Sequence, residues 1–479
     1  MSAPSAGLRV LVAGGGWAGC AAAVELARAG HRVTLAEAAR SLGGRARAVE
    51  VHGKTLDNGQ HILLGAYGET LRLLRLVGVD PDTALLRLPV QMRYPFPGVG
   101  GGMDFVAPRW PAPFHLIGAL LRTKGLERAD KLALARLHSA ARWMGWQLYN
   151  DCTVDELLER FGQSARLNRL LWHPLCIAAL NTPPARASAR VFLAVLRDSL
   201  GARRRAASDM LLPQCDMGAL FPQAAAAFVE RHGGAVVTGA RIDALTRDGE
   251  HWRCSVQGDA ADAGAVLDAR FDAVVLATPA AQSAALLSPY PETAQLAAQL
   301  AALNYEAIAT CYLQYDPALA LELPFYALLD NPALGRWGQF VFDRGQLDPA
   351  HAGLLAVVVS AAGDAAQLQQ DALAAAIAAQ LAHELRRPEL AAPHWSRVIT
   401  EKRATFSCTP GLARPGNDTA LPGLVLAGDF TASDYPATLE TAVRSGIGAA
   451  TAIGAPGTLS RELRSLSHDP GDQPRACVS

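Results

Sequence analysis

The chain is poor in charge and has no surplus of either sign. Of its 479 residues 18% are charged, 44 basic against 44 acidic, so no net field gathers phosphate backbones and nucleic acid is not an expected partner. Cysteine is scarce and unpatterned. The eight copies, at 20, 152, 176, 215, 254, 311, 408 and 477, form no CxxC pair and no Cys/His cluster, so neither a metal site nor a disulfide framework is expected. Long apolar runs are missing too. The longest uncharged stretch, 273–291, carries three prolines and several polar residues, which makes it a poor membrane-spanning helix. No basic segment precedes the first apolar run. These absences predict a cytoplasmic protein whose membrane contact, if any, is peripheral, on the inner face of the cytoplasmic membrane.

What is present is apolar bulk: 50% of the residues are hydrophobic, as in a well-buried enzyme. A chain this long exceeds what one core supports, so two domains with a ligand at their interface are expected. Residues 8–13 read as a strand, 20–29 as an alanine-rich helix ending at Gly30, and 31–37 as a second strand, which together make a βαβ unit. Strand-like segments at 234–245, 252–256, 271–277 and 424–427, and a helix at 437–453, are assigned to the same domain. The stretch 110–200 has helical spacing and reads as a cap. Residues 290–410 mix strands, such as 354–359, with an alanine-rich helix at 364–385. The predicted fold class is therefore α/β. A Rossmann-type domain from 1–75, 210–285 and 415–457 combines with a discontinuous α+β substrate domain with helical cap from 76–209 and 286–414, and 458–479 form a loose tail.

The sharpest motif is Gly14-x-Gly16-x-x-Gly19, placed directly after a strand and opening a helix. The first glycine permits a tight turn, the second lets backbone approach a pyrophosphate, and the third lets helix and strand pack closely. Trp17 and Ala18 supply amides at the positive helix end. Glu37 closes the second strand 18 residues beyond Gly19, where a carboxylate accepts hydrogen bonds from an adenosine ribose. Gly43-Gly44-Arg45 follow as a second phosphate lip. Far downstream a strand ends at Gly428-Asp429, and a helix opens at Thr438-Leu439, whose amides suit the pyrimidine edge of a flavin. The cofactor these point to is FAD.

The glycine fingerprint, Glu37, GGR and the closing LAGDFTASDYPATLETAVRSG at 426–446 together resemble the amine oxidase and phytoene desaturase superfamily. Within it, LDNGQH at 56–61, WHPLC at 172–176, ALNT at 179–182, LRDSL at 196–200 and DMLLP at 209–213 resemble the squalene-associated branch, the hydroxysqualene dehydroxylases of bacterial hopanoid synthesis. That resemblance implies reductive removal of an allylic hydroxyl from a long-chain isoprenoid, giving squalene. It also places Gly59, Gln60 and His61 beside the isoalloxazine.

Such chemistry needs a hydride from reduced flavin, an acid for the departing hydroxyl, and an apolar tunnel. For the acid, Asp57 and His61 rank first, Asp209 and Asp434 second, and His173 third. Trp17, Trp143, Trp146, Phe192 and Tyr435 are candidate aromatic walls. The Cys408 thiol is read as inert rather than flavin-linked. No second dinucleotide fingerprint occurs, so electrons come from NADPH or from a partner reductase. An oxidative carotenoid-type desaturase and a non-catalytic isoprenoid escort stand as alternatives. The stretch 110–125 is read either as a membrane-dipping helix or as a buried cap helix.

Overall fold

A computed structural model describes residues 7–96, 101–257 and 267–454, so the tail expected at 458–479 lies outside the described residues. Strand Arg9–Ala13 is apolar at four consecutive positions, all fully buried, and a strand dry on both faces belongs in the middle of a parallel sheet. It pairs in parallel with Arg32–Glu37 on one side and Ala273–Leu276 on the other. Ala235–Thr238 and Leu424–Leu426 extend the two edges, giving five strands with Arg9–Ala13 at the centre. The chain leaves that central strand toward one neighbour and returns later on the other side. A crevice opens where the order reverses, at the carboxyl end of the strand.

Helix Trp17–Arg28 covers one face and is buried from Trp17 to Ala27. Its run of small residues lets the last helix, Leu439–Gly454, approach closely. A methyl group on Gly446 would lie 2.2 Å from the Ala18 carbonyl oxygen. Glu440 then reaches across to a third helix, Gly68–Val77, accepting from the Glu69 and Thr70 amides and the Thr70 hydroxyl at 2.7–3.1 Å. One buried carboxylate thus fastens the last helix to an early one at its positive end.

The segment expected as one strand at 234–245 divides in two. Gly239, at φ +71°, turns the chain between Ala235–Thr238, which joins the sheet, and Arg241–Asp248, which forms a separate hairpin with His251–Gln257. The helix expected from 364 begins at Gln370, because Leu368 and Gln369 are extended. An alanine-rich run has helix propensity but no capping signal to fix where it starts. In the cap the helix expected over 110–125 is confined to Phe114–Arg122, since Trp110 and Ala112 each precede a proline, which disfavours helical backbone there.

The second layer is an antiparallel sheet in the order Phe325–Ala327, Phe340–Asp343, Leu354–Val359, Tyr305–Gln314, Trp395–Phe406. Cap helices Phe114–Arg122, Arg128–Trp143, His173–Leu180 and Ala189–Ser199 share a core with it that includes Leu137, Leu171, Trp172, Phe192 and Phe342. Each such fully buried side chain contributes about 1.5–3 kcal/mol. Asn181 pins cap to sheet: left-handed at φ 47°, it accepts from the Ala361 amide at 2.6 Å and donates to the Thr405 hydroxyl at 2.9 Å. The ALNT motif thereby has a structural task.

Candidate active site

A single cavity of about 1600 Å³ runs from the crevice of the parallel sheet to the helical cap. Ligand pockets usually measure roughly 300–1,000 Å³, so this one has room for a large cofactor and a second molecule. Its two ends differ in chemistry.

At the crevice end the wall is nearly all backbone. Gly14, Gly16, Trp17, Ala18, Gly43, Gly44 and Arg45 line it, with Glu37. Gly14 sits at φ +108°, and a methyl there would lie 2.5 Å from the Ala277 oxygen. Gly19 lies behind this wall, where a methyl would come within 1.9 Å of the Gly14 oxygen, so only hydrogen allows the helix to start against its own turn. The two glycine loops are stitched together: the Gly43 amide donates to the Gly15 oxygen at 2.8 Å, and Gly16 and Gly43 form a parallel bridge. No side chain caps the first turn of helix Trp17–Arg28 at Gly16, which leaves that positive end facing the cavity. Glu37 accepts from the Gly15 amide at 2.6 Å and the Ala39 amide at 2.8 Å, and its carboxylate is thereby fixed at the wall. Arg45, expected at the phosphate lip, lines this wall and is paired with the Asp429 carboxylate at 2.6 Å and the Ala404 oxygen at 2.7 Å. That pair joins the first glycine loops to the closing segment. Gly428, Asp429, Thr438 and Leu439 line the opposite wall, and the Thr438 hydroxyl accepts from the Thr441 amide at the head of the last helix.

The middle of the cavity is lined by Asn58, Gly59, Gln60, His61, Tyr435 and Asp198. Here the expected acids separate. Asp57 turns away from the cavity: 1% exposed, it accepts from the Met217 amide at 2.7 Å and lies 3.9 Å from buried Arg344. Burial pushes its carboxyl up to about 6, against the pull of Arg344 and that amide. Arg344 also donates to the Gln60 side chain at 3.0 Å, so the Asp57–Arg344 pair braces the turn from behind. Asp209 is likewise absent from the wall. It is 1% exposed and held by Arg205 at 2.7 Å and Arg87 at 3.3 Å, a structural anchor beside strand Met210–Pro213. Asp434 is an exposed surface carboxylate 3.7 Å from Arg197. His173 lies 2.9 Å from Asp155, also off the wall. His61 does face the cavity, but burial pushes its imidazole down to about 4, so it is uncharged at neutral pH and provides no imidazolium acid. Its Nδ1 has no partner among the described residues.

Sequence reasoning missed one polar cluster on the cavity wall. Tyr435, expected only as an aromatic wall, donates from its hydroxyl to Asp198 and accepts from Arg197 at 3.3 Å. Arg197 is bound to Asp198 at 2.7 Å, and Arg444 lies 5.1 Å from the Tyr435 ring centre. The signal was present as the adjacent pair in LRDSL, 196–200, but its partner stands 237 residues away. Phe192, by contrast, is no part of the wall: it is fully buried with its ring edge-on to Trp172. Cys408 is 3% exposed, its thiol pushed up to about 12 by burial, and lies off the wall.

The cap end is apolar. Leu116, Leu120, Leu134, Leu137, Leu171 and Leu193 form its walls, with Trp143, Trp146 and Trp172.

This fold and this glycine-lined crevice define a flavoprotein, and the comparison with known proteins agrees: the chain belongs to the family described as flavin containing amine oxidoreductase, which matches residues 17–454. It is an FAD-dependent oxidoreductase. More particularly, it is 31% identical over 460 residues to the hydroxysqualene dehydroxylase of Rhodopseudomonas palustris, covering 94% of this chain and 99% of that protein. Identity to the enzyme of the same name from Sinorhizobium fredii is 28%, over 91% and 96% of the two chains. Among solved structures, a putative protoporphyrinogen oxidase from Exiguobacterium sp. 255-15 superposes with a TM-score of 0.64 at 18% identity, covering 93% of this chain and 98% of that one, which agrees with the fold.

The described residues fit FAD at the crevice. Where Gly16 and Gly44 face each other, a methyl on Gly44 would lie 3.1 Å from the Gly16 Cα, so side chains there would close the groove that backbone amides leave open.

Proposed function

We propose that the chain catalyses flavin-dependent reductive dehydroxylation of hydroxysqualene to squalene, supplying the precursor for hopanoid synthesis. The observation that carries this reading is the two-ended cavity: a glycine and amide cradle at one end is continuous with a leucine and tryptophan chamber at the other. Similarity to hydroxysqualene dehydroxylases over nearly the whole chain supports the same substrate class.

In this reading Gly14, Gly16, Trp17, Ala18, Gly43 and Gly44 offer backbone to the FAD pyrophosphate, with Gly19 allowing the helix to start there. Glu37 takes the adenosine ribose, and Asp429, Thr438 and Leu439 meet the flavin side. Gly59, Gln60 and His61 pack beside the ring system. When bound and reduced, FAD supplies the hydride that the allylic carbon receives. Electrons reach it from NADPH or a partner reductase. The leaving hydroxyl needs a proton, which this reading assigns to the Tyr435 phenol on the cavity wall. As the C–O bond breaks, the phenol turns its proton from Asp198 to the departing hydroxyl, which leaves as water. Arg197, 3.3 Å away, stabilises the phenolate that remains, and Asp198 holds Arg197 in position. Trp146, Trp172 and the leucines exclude water from the allylic cation, and the indole faces stabilise its charge.

Anaerobic incubation of photoreduced protein with hydroxysqualene, followed by analysis of the extract, tests the reading. Squalene is the expected product. Consumption of squalene or phytoene under oxidising conditions, with no dehydroxylation, would replace it with a desaturase.

A further inference from the structure

The rim of the cavity carries an apolar face that the chemistry inside does not explain. Helix Phe114–Arg122 turns Phe114, Ile117 and Leu121 to solvent at 60, 49 and 70% exposure, and the spacing of three and four residues puts them on one side. Trp110 is 43% exposed, and Trp143, at the end of helix Arg128–Trp143, is 89% exposed. Soluble surfaces rarely leave such residues clustered without a partner. Pro113, Ile117, Ser139, Arg142 and Trp143 are at once exposed and part of the cavity lining, so this face surrounds an opening.

The charge around it is one-sided. Residues 109–143 hold seven Lys or Arg and two acids, a net of +5 in a chain whose net charge is 0. Both acids are engaged. Glu127 pairs with Arg166 at 2.7 Å and Asp130 is buried, accepting from Ser164 at 2.6 Å, which leaves Arg109, Arg122, Lys124 and Arg128 as exposed cations beside the patch.

We propose that this face docks on an anionic phospholipid bilayer. Phe114, Ile117, Leu121 and the two tryptophans enter the headgroup and acyl boundary, while the cations lie at phosphate level. The mouth then opens into the bilayer, and a long apolar molecule reaches the leucine chamber without crossing water. A second copy of the chain is the poorer occupant, because a two-fold contact would set one cationic face against another.

The test uses the full FAD-loaded chain and needs no substrate, so its failure is distinct from failure of the dehydroxylation reading. Co-sedimentation with vesicles of phosphatidylglycerol and phosphatidylcholine is expected, weakened by salt and much reduced with phosphatidylcholine alone. Arg122→Gln with Lys124→Gln should weaken binding about thirtyfold, from about 1 kcal/mol per cation and tenfold per 1.4 kcal/mol. Phe114→Ser with Leu121→Ser should weaken it at every salt concentration, with flavin content unchanged. Brominated acyl chains should quench the wild type more than Trp143→Phe. No sedimentation with phosphatidylglycerol vesicles, binding indifferent to all four substitutions, or concentration-dependent self-association abolished by Phe114→Ser would overturn the proposal.

Discussion

Tyr435→Phe separates the chemistry from the architecture. The substitution removes one hydroxyl, and with it the bond to Asp198 and the contact from Arg197, while the Arg197–Asp198 pair at 2.7 Å and the Arg444 contact with the ring remain. Because the group is only part-buried and its neighbours stay paired, the cost in stability should be about 1 kcal/mol or less. A general acid in the transition state is worth far more, about a hundredfold to ten-thousandfold in rate, or about 2.7–5.5 kcal/mol at 1.36 kcal/mol per tenfold. The assay is anaerobic single-turnover reoxidation of reduced flavin by hydroxysqualene in stopped flow, with thermal melting and flavin absorbance as controls. The expected result is a large fall in rate, loss of the alkaline limb of its pH profile, and near-normal melting and flavin content. A variant within about threefold of wild type, with an unaltered pH profile, would remove Tyr435 from the proton path.

Gly19→Ala places a methyl 1.9 Å from the Gly14 oxygen, so purified protein should carry little flavin and melt lower; normal flavin absorbance would refute this account of the fingerprint. Asp57 has its carboxyl raised from 3.8 to about 6, so the fold favours the protonated form. The stability this contributes is present below about pH 4 and is lost as pH rises through 6, about 3 kcal/mol in all. Melting curves of Asp57→Asn should therefore gain on wild type between pH 4 and 7, whereas parallel curves would contradict the buried titration. Asp434→Asn removes an exposed carboxylate 3.7 Å from Arg197 but leaves the Arg197–Asp198 pair at 2.7 Å, and should leave turnover and flavin content within about twofold.

The nucleotide end was legible because its physics is local. A turn that only Gly14 can make, a helix start that only Gly19 permits and a strand ending in Glu37 all lie within 24 residues, and each leaves a fixed residue type at a fixed spacing. The acid was not legible, because proximity to a motif does not decide whether a carboxylate faces a cavity or the core. Asp57 is next to Asn58, which lines the wall, yet in an extended strand neighbouring side chains point to opposite faces. Its partner Arg344 and the Tyr435–Asp198 pair are brought together only by the tertiary fold, across 287 and 237 residues of sequence. The break at Gly239 was equally hidden, since a lone glycine inside a strand-like run signals a bulge as readily as a turn.

The Glu440 clamp also bears on how the molecule is made. An N-terminal half emerging from the ribosome lacks both Ala273–Leu276, the second neighbour of the central strand, and the Glu440 carboxylate that accepts from the first amides of helix Gly68–Val77. Until nearly the whole polypeptide has been translated, that half leaves amides and apolar surface unanswered. Synthesis of this protein should accordingly draw on chaperones, and truncations that remove Glu440 should be cleared rather than accumulate.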